Sequence, residues 1–220
     1  MTTVIVIAKE TIPGRVKTRL HPPLSYEQAA ELAAAALADT LAVVTALPAT
    51  RRILAFDGNL LPQGSEPFDV IHQVSGDLDM RLGAIFDECD GPTVLVGMDT
   101  PQLTAGHLAP VFAPWPDGVD AWLGYANDGG YWTLALAEPN GDLIRGVPMS
   151  RDDTGDLQLR ALRTAGLGVG MLPELIDVDT IADARAVAAL APDTRFSRTL
   201  RSFDSAGPFD SAAGVDGGAM

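Results

Sequence analysis

Residues 3–20 read TVIVIAKETIPGRVKTRL. The opening TVIVIA is a run of β-branched and other apolar residues with no polar alternation. A strand of that kind is buried on both faces, as in a parallel sheet covered by helices. A turn-rich loop follows, with Pro13 stiffening the chain and Gly14 permitting a tight turn. Arg15, Lys17 and Arg19 fall within five residues of this loop, and Lys9 stands at the strand's end. In open α/β sheets ligands bind beyond the carboxyl ends of the strands, so the cations sit where a ligand is expected.

Outward from this stretch the pattern alternates. Ser25 with Gln28 forms a capping box, and Leu32, Leu37, Leu41 and Val44 mark the buried stripe of a long helix. RRILAFDG (51–58), DVIHQV (69–74) and TVLVGM (93–98) read as further strands. Asp77 is placed to cap a helix carrying Leu78, Leu82, Ile85, Phe86 and Cys89 on one face. TAGHLAPVF (104–112) reads as a short helix capped by Thr104. AWLGYA (121–126) and YWTLALA (131–137) flank NDGG, a turn that suits antiparallel pairing. A helix from about Thr154 to Gly166, an extended VGMLPELIDV (169–178) and a helix started by Thr180 with Asp183 complete the pattern. Pro192 ends that helix. The expected fold is α/β: a three-layer α/β/α sandwich whose mixed sheet is mainly parallel, with one antiparallel strand. The expected organisation is one domain over residues 1–192. From Asp193 the composition turns Gly/Ala/Ser/Asp-rich and FDSA occurs twice, so residues 193–220 read as a low-complexity tail.

The totals narrow the function. The 220 residues carry a formal net charge of -14 and a single cysteine. An acidic balance argues against nonspecific binding to nucleic acid or an anionic surface. One cysteine excludes an internal disulfide and suits a reducing compartment. No segment reads as a membrane span or a secretory signal, and a cytoplasmic location is expected. Three histidines lack zinc-site spacing, and no G-x-S-x-G is present.

Against that background the first loop reads as an anion site, since Arg15, Lys17 and Arg19 offer charge-assisted donors to phosphate oxygens. A solvated basic loop is the plainer reading. The loop is not a Walker A motif, which needs glycine where Thr11 and Val16 stand, and no G-x-G-x-x-G occurs. In VLVGMDTPQL, Asp99 follows a buried strand and reads either as a turn cap or as a Mg2+ ligand. In LIDVDTIADA, Asp177 and Asp179 alternate with Val178, so both carboxylates face one way in an extended segment. Such a pair favours a bound cation or one raised pKa. In NDGGYW, Gly129 and Gly130 allow close approach of backbone to a base or sugar, while Tyr131 and Trp132 are either stacking groups or core. Arg81 and Arg151 could reach a phosphate, although surface charge is the commoner role for both.

The order PGRVKTRL, GMDTP, DGGYW, DVDT resembles the bacterial radical-SAM/selenodomain-associated transferase 1 family. It is more distantly similar to the 2-phospho-lactate guanylyltransferases, within the nucleotide-diphospho-sugar transferase (GT-A) superfamily. The similarity spans about residues 4–190. The chain departs from the glycine-rich first loop of many nucleotidyltransferases, having IAKETIPG there. The resemblance implies that Gly14, Arg15, Lys17 and Arg19 hold nucleotide phosphates. It implies that Asp99 and Asp179 bind Mg2+ or Mn2+, with Lys17, Arg15 and Asp99 acting in catalysis. Ala8, Lys9, Asp77, Arg81, Gly129 and Gly130 join the expected nucleotide-binding set. The implied activity is metal-dependent transfer of a nucleotidyl group from a nucleoside triphosphate to a small phosphorylated or anionic acceptor, releasing pyrophosphate. Transfer of a sugar from a nucleotide-sugar, or nucleotide binding without catalysis, would use the same site.

Overall fold

The computed structural model describes residues 2–205. Seven strands form one sheet: β1 (Thr3–Lys9), β2 (Arg51–Asp57), β3 (Asp69–His72), β4 (Thr93–Val96), β5 (Ala121–Ala126), β6 (Tyr131–Leu136) and β7 (Val169–Leu175). Their order is β3-β2-β1-β4-β6-β5-β7. β1 runs parallel to both its neighbours, with Ile5 opposite Ile53 on β2 and Leu95 on β4. β6 is antiparallel to β4 and to β5, and β7 is parallel to β5. One reversed strand in a parallel sheet is the arrangement the sequence predicts.

The helices are α1 (Tyr26–Ala46), α2 (Leu78–Asp87), the single turn α3 (Ala109–Phe112), α4 (Thr154–Thr164), α5 (Ile181–Leu190) and α6 (Arg195–Ser205). Alternation along β1 sorts them into layers. Val4, Val6 and Ala8 face Leu37, Leu41 and Val44 of α1 and Val111 of α3. Ile5 faces the other way, toward Leu82, Ile85 and Phe86 of α2 and Leu162 of α4. Both faces of the sheet are therefore covered, which is why the strands carry no polar alternation. The predicted capping boxes form: Ser25 accepts from the Gln28 amide, and Thr180 accepts from that of Asp183. Asp77 stands at the start of α2 but makes no side-chain cap bond. Cys89 is buried beside Phe86, as its place on that stripe predicts.

Two expectations need correction. Helix α1 is long and apolar enough to cross a membrane by length and composition. Alanine supplies much of that hydropathy, and half of the relevant window is buried within the fold. The second concerns the tail expected from Asp193. Residues 195–205 are helical, with Phe196 1% exposed and Leu200 also buried against Leu32 of α1 and Val187 of α5. Composition misled because Arg195, Arg198 and Arg201 lie on one face while Phe196, Leu200 and Phe203 recur at helical spacing on the other. The Asp39 carboxylate of α1 accepts from the Arg195 and Phe196 amides at 3.0 and 2.8 Å, so α1 itself caps α6. Residues 206–220, with the second FDSA, lie outside the described residues.

Phe196→Ala should cost about 3–5 kcal/mol of unfolding free energy, the usual range for emptying a buried aromatic site. Urea unfolding measures it. A loss under about 1 kcal/mol would mean that α6 is not part of the folded domain.

Candidate functional site

Four loops meet at the carboxyl edge of the sheet: residues 10–25 after β1, 97–104 after β4, 127–130 between β5 and β6, and 176–180 after β7. Because β6 runs backwards, the β5–β6 turn arrives at the same edge as the ends of the parallel strands. Backbone bonds stitch these loops together. The Val178 amide donates to the Asp99 carbonyl at 3.1 Å, and Gln102 Nε2 donates to the Ile176 carbonyl at 2.8 Å. The Asp177 amide donates to Asn127 Oδ1 at 2.8 Å. Asp99, Asp177 and the 127–130 turn are thus neighbours, although 78 residues separate the two aspartates in sequence.

Lys17 reaches into this junction. Val16 packs against Ala30 and Ala33 of α1, and Leu20 packs against Ala29 and Leu32. Between these two anchors Lys17 adopts left-handed backbone geometry (φ 45°, ψ 40°) ahead of a short 3-10 turn, Thr18–Leu20. A non-glycine residue held there costs on the order of 1–3 kcal/mol. Its ammonium lies 3.0 Å from Asp99 Oδ1, 3.3 Å from Asp179 Oδ1 and 3.8 Å from Asp177 Oδ1. The side chain is 12% exposed. Arg19 binds the other oxygen of Asp179, Oδ2, at 2.6 Å from the solvent side.

Electrostatics at the junction follow from crowding. Burial works against the Lys17 charge, yet Asp99, Asp177 and Asp179 together outweigh it and hold the ammonium above the ordinary lysine range. At 3–4 Å and an effective dielectric of about 20, each attraction is worth roughly 4 kcal/mol, which matches several kcal/mol of desolvation. Asp177 behaves oppositely. Burial, helped by Asp99, Asp179 and Asp128, pushes its carboxyl up to about 7 against the pull of Lys17. Its Oδ1 is buried and has no hydrogen-bond partner.

The expected site residues divide into groups. Lys17, Arg19, Asp99 and Asp179 are brought together, and Asp177 joins them. Lys17 was expected to face phosphate oxygens; its left-handed turn aims it at the carboxylates instead. Arg15 and Lys9 are exposed and make no salt bridge among the described residues. Gly14 (φ 74°) makes the turn expected of it. Ala8 and Arg81 belong to a second cluster, over the ends of β1 and β2. There Gln73 Nε2 donates to the Ala8 and Ala55 carbonyls, both at 2.9 Å, and Gln73 Oε1 accepts from Arg81 at 2.9 Å. Arg81 Nε is buried without a partner. Asp77 is exposed beside this cluster, its carbonyl accepting from the Arg81 amide. Gly129 (φ 85°) packs so closely on α4's approach that a Cβ there would stand 1.9 Å from the Asp152 carbonyl oxygen. The Gly130 amide donates to Asp128. Trp132 is core, its indole bound to the Pro173 carbonyl at 3.0 Å. Arg151 pairs with Asp153 at the surface.

For a metal, Asp99, Asp177 and Asp179 supply hard oxygen donors of the kind Mg2+ and Mn2+ take, and the orphaned Asp177 Oδ1 is a free one. The donor chemistry fits. As arranged, however, the carboxylates surround the Lys17 ammonium. Among the described residues no three His, Cys, Asp or Glu side chains form a metal-sized group.

Residues 31–151, more than half of the chain, match DUF2064, described as an uncharacterized protein conserved in bacteria. The chain belongs to this family. Its matched segment includes Asp99 and the 127–130 turn; Lys17, Asp177 and Asp179 lie outside it. No curated protein matches the chain in sequence. Among solved structures, this DUF2064 chain is similar to a protein from Desulfovibrio desulfuricans G20 described as a candidate nucleotide-diphospho-sugar transferase. The two are 23% identical, the match covers 93% of this chain and 95% of that one, and the TM-score is 0.78. It is also similar to 2-C-methyl-D-erythritol 4-phosphate cytidylyltransferase from Thermus thermophilus (13% identity, 87% and 100% coverage, TM-score 0.53). A third likeness is to a CMP:2-keto-3-deoxy-manno-octonic acid synthetase complexed with CTP (11%, 87% and 98%, TM-score 0.50). The fold is that of the nucleotide-diphospho-sugar transferases, as the sequence resemblance implied.

Three residues at the site of this DUF2064 chain escaped the sequence reading: Gln73, Asn127 and Asp128. Gln73 carried one signal, a lone amide ending the strand DVIHQ. Asn127 and Asp128 carry only the signal of turn residues.

Asp177 keeps its proton in the folded chain up to about pH 7, against 3.8 for an ordinary aspartate. Folding takes up a proton between those values, so the stability that Asp177 lends is lost as pH rises through the window and then levels off. Asp177→Asn cannot titrate. In metal-free buffer its Tm advantage over the wild type should open between about pH 4 and pH 7 and stay constant above. A gap that does not change with pH would mean that Asp177 is ionised throughout.

Proposed function

We propose that this protein is a transferase that moves a nucleotidyl group from a nucleoside triphosphate to a small phosphorylated or anionic acceptor, with Mg2+ or Mn2+ and release of pyrophosphate. The observation that carries the reading is the convergence of the Arg15–Arg19 loop with Asp99, Asp177 and Asp179 over the carboxyl ends of a parallel sheet. Phosphoryl-type transfers need little covalent chemistry from the protein; positioning and charge neutralisation do most of the work. That two chains sharing the fold are described as a cytidylyltransferase and a CTP-bound synthetase supports it. Within the superfamily, the order of motifs groups the chain with the radical-SAM/selenodomain-associated transferase 1 proteins. The unit carrying the activity runs past the expected boundary at 192 and includes α6. The location is cytoplasmic, the only cysteine being a reduced, buried Cys89.

In this reading the acceptor oxygen bonds to the α-phosphorus as the bond to the bridging oxygen breaks, and pyrophosphate leaves with that electron pair. The exposed Arg15 and Lys9 attract the polyphosphate and offset charge on the leaving group. Gly14, at φ 74°, makes the turn of the loop that carries Arg15. Arg81, tied by Gln73 to the end of β1, adds a cation at that edge of the site. Gly129 and Gly130 keep the turn low beside it. Asp99, Asp177 and Asp179 would hold the divalent cation, which supplies Lewis-acid neutralisation of phosphate charge. Arg19 restrains Asp179, and Asn127 fixes the backbone of Asp177.

Asp99→Asn should lower turnover by about 10²–10³ while leaving the far-UV circular dichroism unchanged. The assay is pyrophosphate release, after a thermal-shift screen of the four nucleoside triphosphates and common nucleotide-sugars with and without Mg2+. A ligand at 100 times its Kd adds about 2.7 kcal/mol of apparent stability. Near-native turnover in Asp99→Asn would remove the metal assignment. Metal-dependent stabilisation by a nucleotide-sugar alone, without pyrophosphate release, would replace nucleotidyl transfer with glycosyl transfer.

A further inference from the structure

We propose that Lys17 and a divalent cation are alternative occupants of one position, so that Lys17 is a tethered counter-ion that leaves its carboxylates when the metal binds. This rests on the reading of the site as a metal-dependent nucleotide site.

Geometry is the first support. The ammonium stands within 3.0–3.8 Å of one oxygen from each of three carboxylates. Composition is the second. Of fifteen cationic residues in the chain only two are lysines, Lys9 and Lys17; the other thirteen are arginine. A guanidinium is a broad planar fork, whereas an ammonium is a compact point charge that can fill an ion-sized space. The chain uses one of its two lysines where three carboxylates converge. The neighbouring cation, Arg19, is an arginine and stays outside on Asp179 Oδ2.

Charge balance is the third. With all three carboxylates ionised, one ammonium and one guanidinium leave one negative charge in excess, and Asp177 Oδ1 has no hydrogen bond. A doubly charged ion in the ammonium's place would cancel that excess. It would also free Lys17 on the lip of the cation-rich loop, beside Arg15. Metal and polyphosphate would then bind cooperatively. The metal gives the carboxylates a replacement for Lys17, and the phosphates give Lys17 a replacement for the carboxylates.

The two-lysine composition makes the test direct. Wild-type protein is treated with an amine-acetylating reagent at pH 8, and the acetylation rates of Lys9 and Lys17 are read by peptide mass spectrometry. Without metal, exposed Lys9 should react fast and enclosed Lys17 slowly. Adding Mn2+ alone should raise the Lys17 rate at least tenfold and leave that of Lys9 unchanged. An unchanged Lys17-to-Lys9 ratio at saturating Mn2+ would overturn the proposal and make Lys17 a permanent ion-pair partner. A second measurement uses Lys17→Met, checked for folding by circular dichroism. By electron paramagnetic resonance it should bind Mn2+ at least tenfold more tightly than the wild type, and adding Asp177→Asn should remove the gain. Equal or weaker binding by a folded Lys17→Met would also overturn the proposal. Should that variant not fold, the labelling of the wild type decides alone. Wild-type protein that needs Mg2+ to release pyrophosphate, yet shows unchanged labelling, loses only the role of Lys17. Absence of Mn2+ binding with and without each nucleoside triphosphate would overturn this inference together with the metal-dependent reading of the site.

Discussion

One ammonium group offsets the repulsion among the carboxylates of this site. Asp99 and the Asp177–Asp179 pair come from loops far apart in sequence, and their mutual repulsion would drive those loops apart. Lys17, delivered from a third loop, opposes that repulsion at distances of 3.0–3.8 Å. A buried ion group of this kind contributes little net stability, because desolvation offsets most of the Coulomb gain. Its value lies in specificity of arrangement: it defines which three loops meet and how. The sheet provides the frame, and the backbone bond from Val178 to Asp99 sets the register between two of the loops.

The reversed strand β6 contributes in a different way. A wholly parallel sheet would bring a crossover to this edge after every strand. Antiparallel pairing of β5 and β6 puts a four-residue turn there instead, residues 127–130. That turn carries an amide side chain for the Asp177 backbone and a carboxylate near enough to raise the Asp177 pKa. Gly129 lets it press against Asp152. The acidic side of the site is therefore built from short, closely packed backbone.

The fold was legible because its signals are local. β-branched runs marked the buried strands, Ser25 and Thr180 marked helix starts, and NDGG marked the reversal. The missed element, α6, was hidden by composition: a window rich in arginine, serine and aspartate looks like tail text until its apolar residues are counted at helical spacing. The site was half legible. Cations after β1 and acids after β4 and β7 could be placed at one edge by topology alone. Which cation meets which acid could not, because that depends on the direction in which a left-handed Lys17 projects, and Lys17 is not a glycine that would advertise such a conformation. Gln73 and Asn127 escaped for a related reason. Each works by bonding to main-chain groups of distant segments, and side-chain amides carry no charge pattern to reveal it.

Val16 and Leu20 restrict how this site can move. Both are buried against α1, on either side of Lys17. The backbone between them cannot swing outward without emptying two apolar sites at once. Any change of partner by the ammonium must then come from rotation about its own side-chain bonds, over the reach of four methylenes. Motion of that type is a side-chain rearrangement, distinct in kind from loop opening or domain closure. Entry of a ligand past this residue requires no hinge.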